Sequence, residues 1–334
     1  GTGENAMNFE YAYDNRGNII SEKRNGLTTT YAYDALGQLI RVDDPHENAT
    51  WGYSYDRGGN ILSKAKYAYT TGALGTAVET IPYTYGDANW KDKLTAYNGV
   101  PITYDAIGNP LNDGTWTYTW EKGRQLKQMS KSGMTVEFKY DHNGMRIQKV
   151  LEHSWYPETT NYTYHGKLLT HMEVNYTDFD EVAHQDELHF FYDNQGRPAK
   201  VRYNGVTYTY VHNLQGDVVG ILDSAGNLVV EYKYNAWGTL LSKTGSMAGT
   251  LGHRNPFRYR GYIYDEETWM YWLKSRYYYP ELHRFINADY VEYLGMDGEL
   301  LSYNQYSYCR NSPINRFDAE GNWSLPNWAK AAIG

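Results

Sequence analysis

A single cysteine, Cys309, in 334 residues excludes an internal disulfide framework and a multi-cysteine zinc site. No uninterrupted apolar run approaches the roughly 18 residues of a membrane-spanning helix. Positive charge is also scarce: 31 basic residues against 39 acidic ones leave a formal net charge of −8. That is opposite to the footprint of a protein that grips nucleic acid or an anionic lipid surface. The opening stretch, Gly1 to Met7, carries neither a basic cluster nor an apolar run, so any export signal is expected upstream, and the sequence reads as part of something longer. What the chain does have is tyrosine and glycine, 36 and 32 residues, a composition that suits strands and tight turns. Its length exceeds the roughly 250–300 residues over which one hydrophobic core grows, which favours two domains or a repeat.

The repeat is an aromatic residue, an acid and, three positions after the acid, a glycine. Its acid and glycine are Asp14 and Gly17, Asp34 and Gly37, Asp56 and Gly59, Asp105 and Gly108, Asp141 and Gly144, and Asp193 and Gly196. Degenerate copies occur at Trp120-Glu121-Lys122-Gly123, Leu222-Asp223-Ser224-Ala225-Gly226 and Tyr234-Asn235-Ala236-Trp237-Gly238. The first three tyrosines, Tyr13, Tyr33 and Tyr55, are spaced by 20 and then 22 residues, room for one hairpin and its return strand. Flanking residues alternate with period two, as in Leu27, Thr29, Tyr31 and Tyr33. The acid can accept a backbone N–H two residues on, and the glycine tolerates the positive φ that closes the turn. Structural turns are therefore the reading of these acids, in preference to a carboxylate row for calcium or sugar chemistry.

Together these units resemble the YD repeats of rearrangement hotspot (Rhs) proteins, bacterial polymorphic toxins, insecticidal toxin-complex C components and teneurins, over about residues 8–322. From about residue 208 a tighter run resembles the Rhs-associated core domain. It includes Tyr234-Asn235-Ala236-Trp237-Gly238, Asn255-Pro256-Phe257-Arg258-Tyr259-Arg260-Gly261, Arg284-Phe285-Ile286-Asn287-Ala288-Asp289 and Tyr308-Cys309-Arg310-Asn311-Ser312-Pro313. The resemblance implies an all-β fold in which YD-repeat hairpins spiral into a partial hollow barrel or shell, capped by a plug. Residues 1–207 would be the shell, 208–322 the core plug and 323–334 the start of a C-terminal extension. It also implies a secreted or cell-surface encapsulation and delivery module. Its partners would be a C-terminal toxin cargo, missing from this chain, and upstream shell or secretion domains. No cofactor, metal, nucleic acid or membrane span is expected.

The same resemblance implies one aspartyl-type self-cleavage, between Asn322 and Trp323. Such chemistry needs two carboxyl groups that share a proton, one to activate water and one to polarise the scissile carbonyl. Asp289 and Asp318 match the two family acids, with Arg284 to orient one of them. Tyr290, Ala319 and Asn322 stand where the family has proline, proline and leucine. Read on their own, Asp318 is equally another Asp-x-x-Gly turn and Asp289 an acid paired with Arg284. Two functional alternatives stay open. One is an extracellular adhesion or carbohydrate-binding module of the teneurin kind, reading cell-surface glycans or receptors. The other is a glycan-active enzyme, which would need one acid pair at a set separation where this chain has acids in nearly every unit.

Of the remaining residues, His184 and His189 read as solvent-exposed, Cys309 as a packing cysteine, and Trp269, Tyr271, Trp272 and Tyr277 to Tyr279 as plug packing in preference to a sugar platform. Residues 69–76 and 173–187 are expected to be surface loops, residues 250–282 an irregular plug with a short helix, and 325–330 the beginning of a helix.

Overall fold

The computed structural model describes residues 7–153, 157–296, 298–322 and 324–327. About half of them lie in antiparallel strands, and the rest in the turns between these and in irregular segments that gather toward the C-terminal part. In each of the six regular copies the turn is built alike. The Asp14 Oδ1 accepts the N–H groups of Arg16 at 2.8 Å and Asn18 at 2.9 Å, while Oδ2 accepts the Asn18 amide at 2.9 Å. Asp34, Asp56, Asp105, Asp141 and Asp193 accept the same two backbone groups, two and four residues on. The glycines of these six turns have φ between 71° and 85°, the left-handed region. The ladder slips by one residue just before each of the six tyrosines, a bulge that leads the strand into the turn.

The tyrosines tie each unit to the one before. Tyr33 donates its hydroxyl to the Ile19 carbonyl at 2.7 Å, Tyr55 to Leu39 at 2.5 Å, Tyr140 to Leu126 at 2.8 Å, Tyr192 to Leu169 at 2.5 Å and Tyr234 to Val218 at 2.9 Å. In each case the acceptor lies at or next to the start of an earlier return strand. Tyr13, with no described unit before it, is 52% exposed.

Strands follow one another in chain order to make two large sheets, nine strands from Phe9–Tyr13 to Val100–Pro101 and fourteen from Thr103–Tyr104 to Leu240–Thr244. The wall thus runs past residue 207, because the units around Asp223 and Asn235 keep the turn bonds. The sheets are not closed into a barrel. Where the first strands of one approach the last strands of the other, side chains make the seam: Arg24 pairs with Glu231 at 3.0 Å and Tyr11 donates to Gln215 Oε1 at 3.3 Å.

Between the sheets lies the plug, a four-stranded sheet of Ile263–Asp265, Met270–Trp272, Tyr277–Tyr279 and Arg284–Phe285. Period-two alternation divides its residues between the walls. Ile263, Met270, Trp272 and Tyr277 join the core of the fourteen-stranded sheet, whereas Tyr264, Tyr271, Tyr278 and Phe285 join that of the nine-stranded sheet. The plug is therefore a middle layer, and the interior expected to be a void is largely filled with aromatic rings. The space left includes a cavity of about 380 Å³ lined by residues such as Tyr192, Phe257, Trp272 and Phe317.

Other expectations resolve locally. A four-residue helix, Leu251–Arg254, accompanies the irregular plug. Residues 173–187 are mostly strand, within Leu168–Thr177 and Ala183–Tyr192: Glu173, Asn175, Gln185 and Glu187 take the outward positions of an alternating pattern, and the one buried acid, Asp186, is paired with Arg254 at 2.8 Å. Leu325–Pro326 pairs as a strand with Arg316–Phe317, and residues 328–330 of the expected helix lie outside the described residues.

The turns yield a graded prediction. A methyl group added at Gly17 meets nothing within 4 Å, so Gly17→Ala is expected to cost about 1 kcal/mol from its positive φ alone. At Gly108 the same group would lie 2.5 Å from the Tyr306 hydroxyl and 2.6 Å from Trp90, where wall meets plug. Gly108→Ala should therefore lower the urea midpoint clearly further than Gly17→Ala; equal midpoints would contradict this packing.

Candidate functional site

Two acids from distant plug segments converge on a small cavity of about 50 Å³, whose lining includes Arg276, Asp289, Cys309, Asp318 and Asn322. Asp289 follows the short strand Arg284–Phe285, and its backbone N–H donates to the Gln305 carbonyl at 3.0 Å. Asp318 follows Arg316–Phe317, and its N–H donates to the Tyr262 hydroxyl at 2.9 Å. Both acids are buried.

Between them sits Arg276, with Nη2 at 2.8 Å from Asp289 Oδ2 and Nη1 donating to the Gln305 carbonyl at 2.7 Å. Its Nε donates to the Gly321 carbonyl, so one guanidinium holds both an acid and the segment beside the expected cut. Arg284, expected in this role, lies elsewhere. It donates to the Tyr85 hydroxyl at 2.7 Å and the Asp92 carbonyl at 2.6 Å, fastening plug to wall. Sequence reasoning missed Arg276 because its partners lie on segments brought near only by the plug fold. The nearest available signal was a further arginine in the core run, in Leu273-Lys274-Ser275-Arg276.

Asp318 Oδ1 accepts the N–H groups of Glu320 at 3.2 Å, Gly321 at 2.7 Å and Asn322 at 3.2 Å. This is the repeat turn carried into the interior. Ser275 Oγ adds contacts to the Glu320 carbonyl at 2.5 Å and Asn322 Oδ1 at 2.8 Å. Gly321, with φ +81°, has no room for a side chain: a methyl group would lie 2.7 Å from Ser275 Oγ and 2.9 Å from the Leu273 carbonyl oxygen. Trp323, the other side of the expected cut, lies outside the described residues.

Burial raises the pKa of Asp318 to about 6, against the pull of Arg276 and the three backbone donors, with the negative charge of Asp289 adding to the rise. Burial raises Asp289 as well, opposed first by Arg276. Both carboxyl groups therefore hold protons more tightly than a solvated acid, and the charge of Asp289 raises the proton affinity of Asp318. Cys309 lines the same cavity, but burial pushes its thiol up to about 12, which removes thiolate chemistry at neutral pH. His283 is stacked on Trp237 with ring centroids 4.4 Å apart, and burial holds its pKa well below the usual imidazole range.

A teneurin YD-shell family model matches residues 2–314. The chain belongs to this family. Among relatives, the tRNA3(Ser)-specific nuclease WapA of Bacillus spizizenii is 37% identical over 238 residues, 70% of this chain and 10% of that protein. Toxin protein Tse5 of Pseudomonas aeruginosa is 22% identical over 349 residues, 93% of this chain and 25% of that protein. A crystal structure of TcdB2-TccC3-Cdc42 superposes with a TM-score of 0.75 at 20% identity, covering 98% of this chain and 17% of that one. This YD-shell chain thus spans a quarter or less of the proteins it matches here. Among the described residues no helix is long and apolar enough to cross a membrane.

The site gives a pH-dependent prediction. In Arg276→Met two buried carboxyl groups lose their counter-ion, at an expected cost of about 3–5 kcal/mol at pH 7.5. Their folded-state pKa values then rise further above the unfolded ones, so the folded state takes up more protons as pH falls. The deficit should accordingly shrink between pH 7.5 and pH 5 in urea titrations. A deficit independent of pH would mean that Arg276 does not govern these acids.

Proposed function

We propose that this YD-shell chain is the wall-and-plug part of an encapsulating shell in a secreted toxin, and that its plug severs the chain once, after Asn322, to free a C-terminal cargo. The observation that carries the cleavage is the meeting of Asp289, Asp318 and Asn322 at one small buried cavity. Encapsulation is supported by the family and by relatives named as a toxin and a nuclease, in which the matched shell is a minor share of the length. The cavity of about 380 Å³ corresponds to about a dozen water molecules, far too small for a folded domain. The cargo chamber therefore requires further wall, from the rest of the protein. Asn327, beyond the expected cut, lines that cavity.

In the reaction, Asp289 is the ionised partner, favoured by the Arg276 contact, and takes a proton from water as the water oxygen adds to the Asn322 carbonyl carbon. Asp318 is the protonated partner and gives its proton to the carbonyl oxygen. As the tetrahedral adduct collapses, Asp289 gives its proton to the leaving nitrogen and Asp318 takes one back from a hydroxyl of the adduct. The C–N bond breaks, and proton transfer from the new carboxylic acid to the freed amine leaves a carboxylate on Asn322 and a protonated amine on Trp323. The hydrogen bonds of Asp318 to Glu320, Gly321 and Asn322 hold the segment in place.

A fusion carrying a folded reporter after Gly334 tests this directly. Release of the reporter with Trp323 at its new N-terminus is expected, with Asp289→Asn and Asp318→Asn both uncut. Asparagine at 318 keeps an acceptor for the turn, so loss of cleavage there reports on the proton and not on folding. The rate should fall as pH rises through about 6, where Asp318 gives up its proton. An intact wild-type fusion between pH 5 and pH 7.5 would remove cleavage from the account and leave the shell.

A further inference from the structure

We propose that the outer face of the wall carries a binding site for a divalent late transition metal ion such as Zn²⁺, formed by His171, Glu187 and His189. His171 in Leu168–Thr177 pairs directly with His189 in Ala183–Tyr192, and Glu187 lies two residues before His189, so all three side chains share one face. That face points away from the core, because Met172, Val174, Leu188 and Phe190 fill the opposite one. Glu187 Oε1 lies 3.2 Å from His171 Nε2 and 3.1 Å from His189 Nε2. The three ligand atoms all fall within 4.8 Å of one another.

These separations suit a shared metal ion. Ligands at about 2.0–2.1 Å from zinc in a tetrahedral arrangement lie about 3.4 Å apart, close to both imidazole–carboxylate distances. The two rings are stacked at 4.5 Å with planes 21° apart, so binding requires each to turn about its soft χ2 until its lone pair meets the ion. Two imidazoles and a carboxylate are the donor types that favour zinc and its neighbours over magnesium or calcium. The fourth position is left to water.

Two further features point to a cation. His171 Nε2 is shielded from solvent and makes no hydrogen bond, an orphaned polar atom beside a carboxylate. Glu187 also stands directly opposite Glu173, a like-charged cross-strand pair that costs stability unless positive charge lies near it; Arg202 stands opposite His189 but, among the described residues, makes no ion pair with either acid. The polar groups flanking Glu173 are the Asn161 and Asn175 amides, at 3.4 Å and 2.6 Å. A bound dication would relieve that repulsion and pin the two strands together.

The test uses the tag-free chain after chelator treatment and dialysis, titrated with zinc chloride by calorimetry and with cobalt(II) by visible absorption. One equivalent of Zn²⁺ is expected to bind and raise the melting temperature, and cobalt to give the intense bands of a tetrahedral site. His171→Gln and His189→Gln should each abolish the cobalt bands and the thermal shift. His184→Gln should retain both, since His184 pairs instead with Asp178 at 2.7 Å. Protection of His171 and His189 from diethyl pyrocarbonate by zinc gives a readout in the unaltered chain. Absence of zinc binding near neutral pH, or binding that survives loss of both histidines, would overturn the proposal.

Discussion

The hydroxyl of a repeat tyrosine reaching the carbonyl of an earlier unit, as at Tyr33, Tyr55, Tyr140, Tyr192 and Tyr234, is the contact on which the stacking of those units depends. An isolated two-stranded hairpin is marginal in water, so a chain of hairpins needs a rule that fixes how each sits on the last. The turn closes one hairpin through its acid and glycine, and the bulge beside the tyrosine tilts the ring out of the ladder and over the preceding unit. There the ring buries apolar surface while its hydroxyl satisfies a carbonyl, two requirements that phenylalanine or serine would each meet only in part. The exposed Tyr13 and the bonded Tyr33 show the difference that a preceding neighbour makes.

A wall specified one unit at a time still needs something to hold its two sheets at the correct separation. Buried charge does this. Arg146, from the fourteen-stranded sheet, grips Asp265 of the plug with both terminal nitrogens, at 2.6 Å and 3.0 Å, and lies against the rings of Phe138, Tyr162 and Trp272. On the other side, Lys64 Nζ meets Glu281 Oε1 at 2.6 Å. Replacing such pairs by well-packed apolar groups is often neutral for stability, but a shifted plug would strand each charge without its partner. Aromatic layers alone tolerate sliding; the ion pairs admit one placement.

How much of this was legible in the sequence follows from the range of the interactions. The Asp14 and Gly17 turn, and its copies, are local, so side-chain chemistry within five residues specified them. The tyrosine acceptors are backbone carbonyls, which leave no mark on residue identity. The break between the sheets falls at Ile102, amid two-residue strands whose alternation is too short to read. Arg276 was missed because the plug fold supplies its partners, and Arg284 was expected beside the acids because it is near Asp289 in sequence. His189 reads from sequence as a solvent-exposed residue, and its geometric neighbour His171 becomes visible only once the hairpin is centred on the turn at Asp178.

The candidate site also shows how one turn design behaves in two different surroundings. Asp14 and Asp318 each accept backbone N–H groups two and four residues on, and each precedes a glycine with φ +81°. At Asp14 the Asn18 amide and the backbone donors, with solvent at hand, lower the pKa below the ordinary carboxylate value. At Asp318 comparable donors are present, yet burial outweighs them and the proton affinity rises. The hydrogen bonds are the constant and the dielectric surroundings the variable. A turn moved from the rim of the wall into the plug therefore passes from a permanently charged staple to a group able to deliver a proton. The second acid and the arginine shared between them confine that ability to the segment the turn already holds.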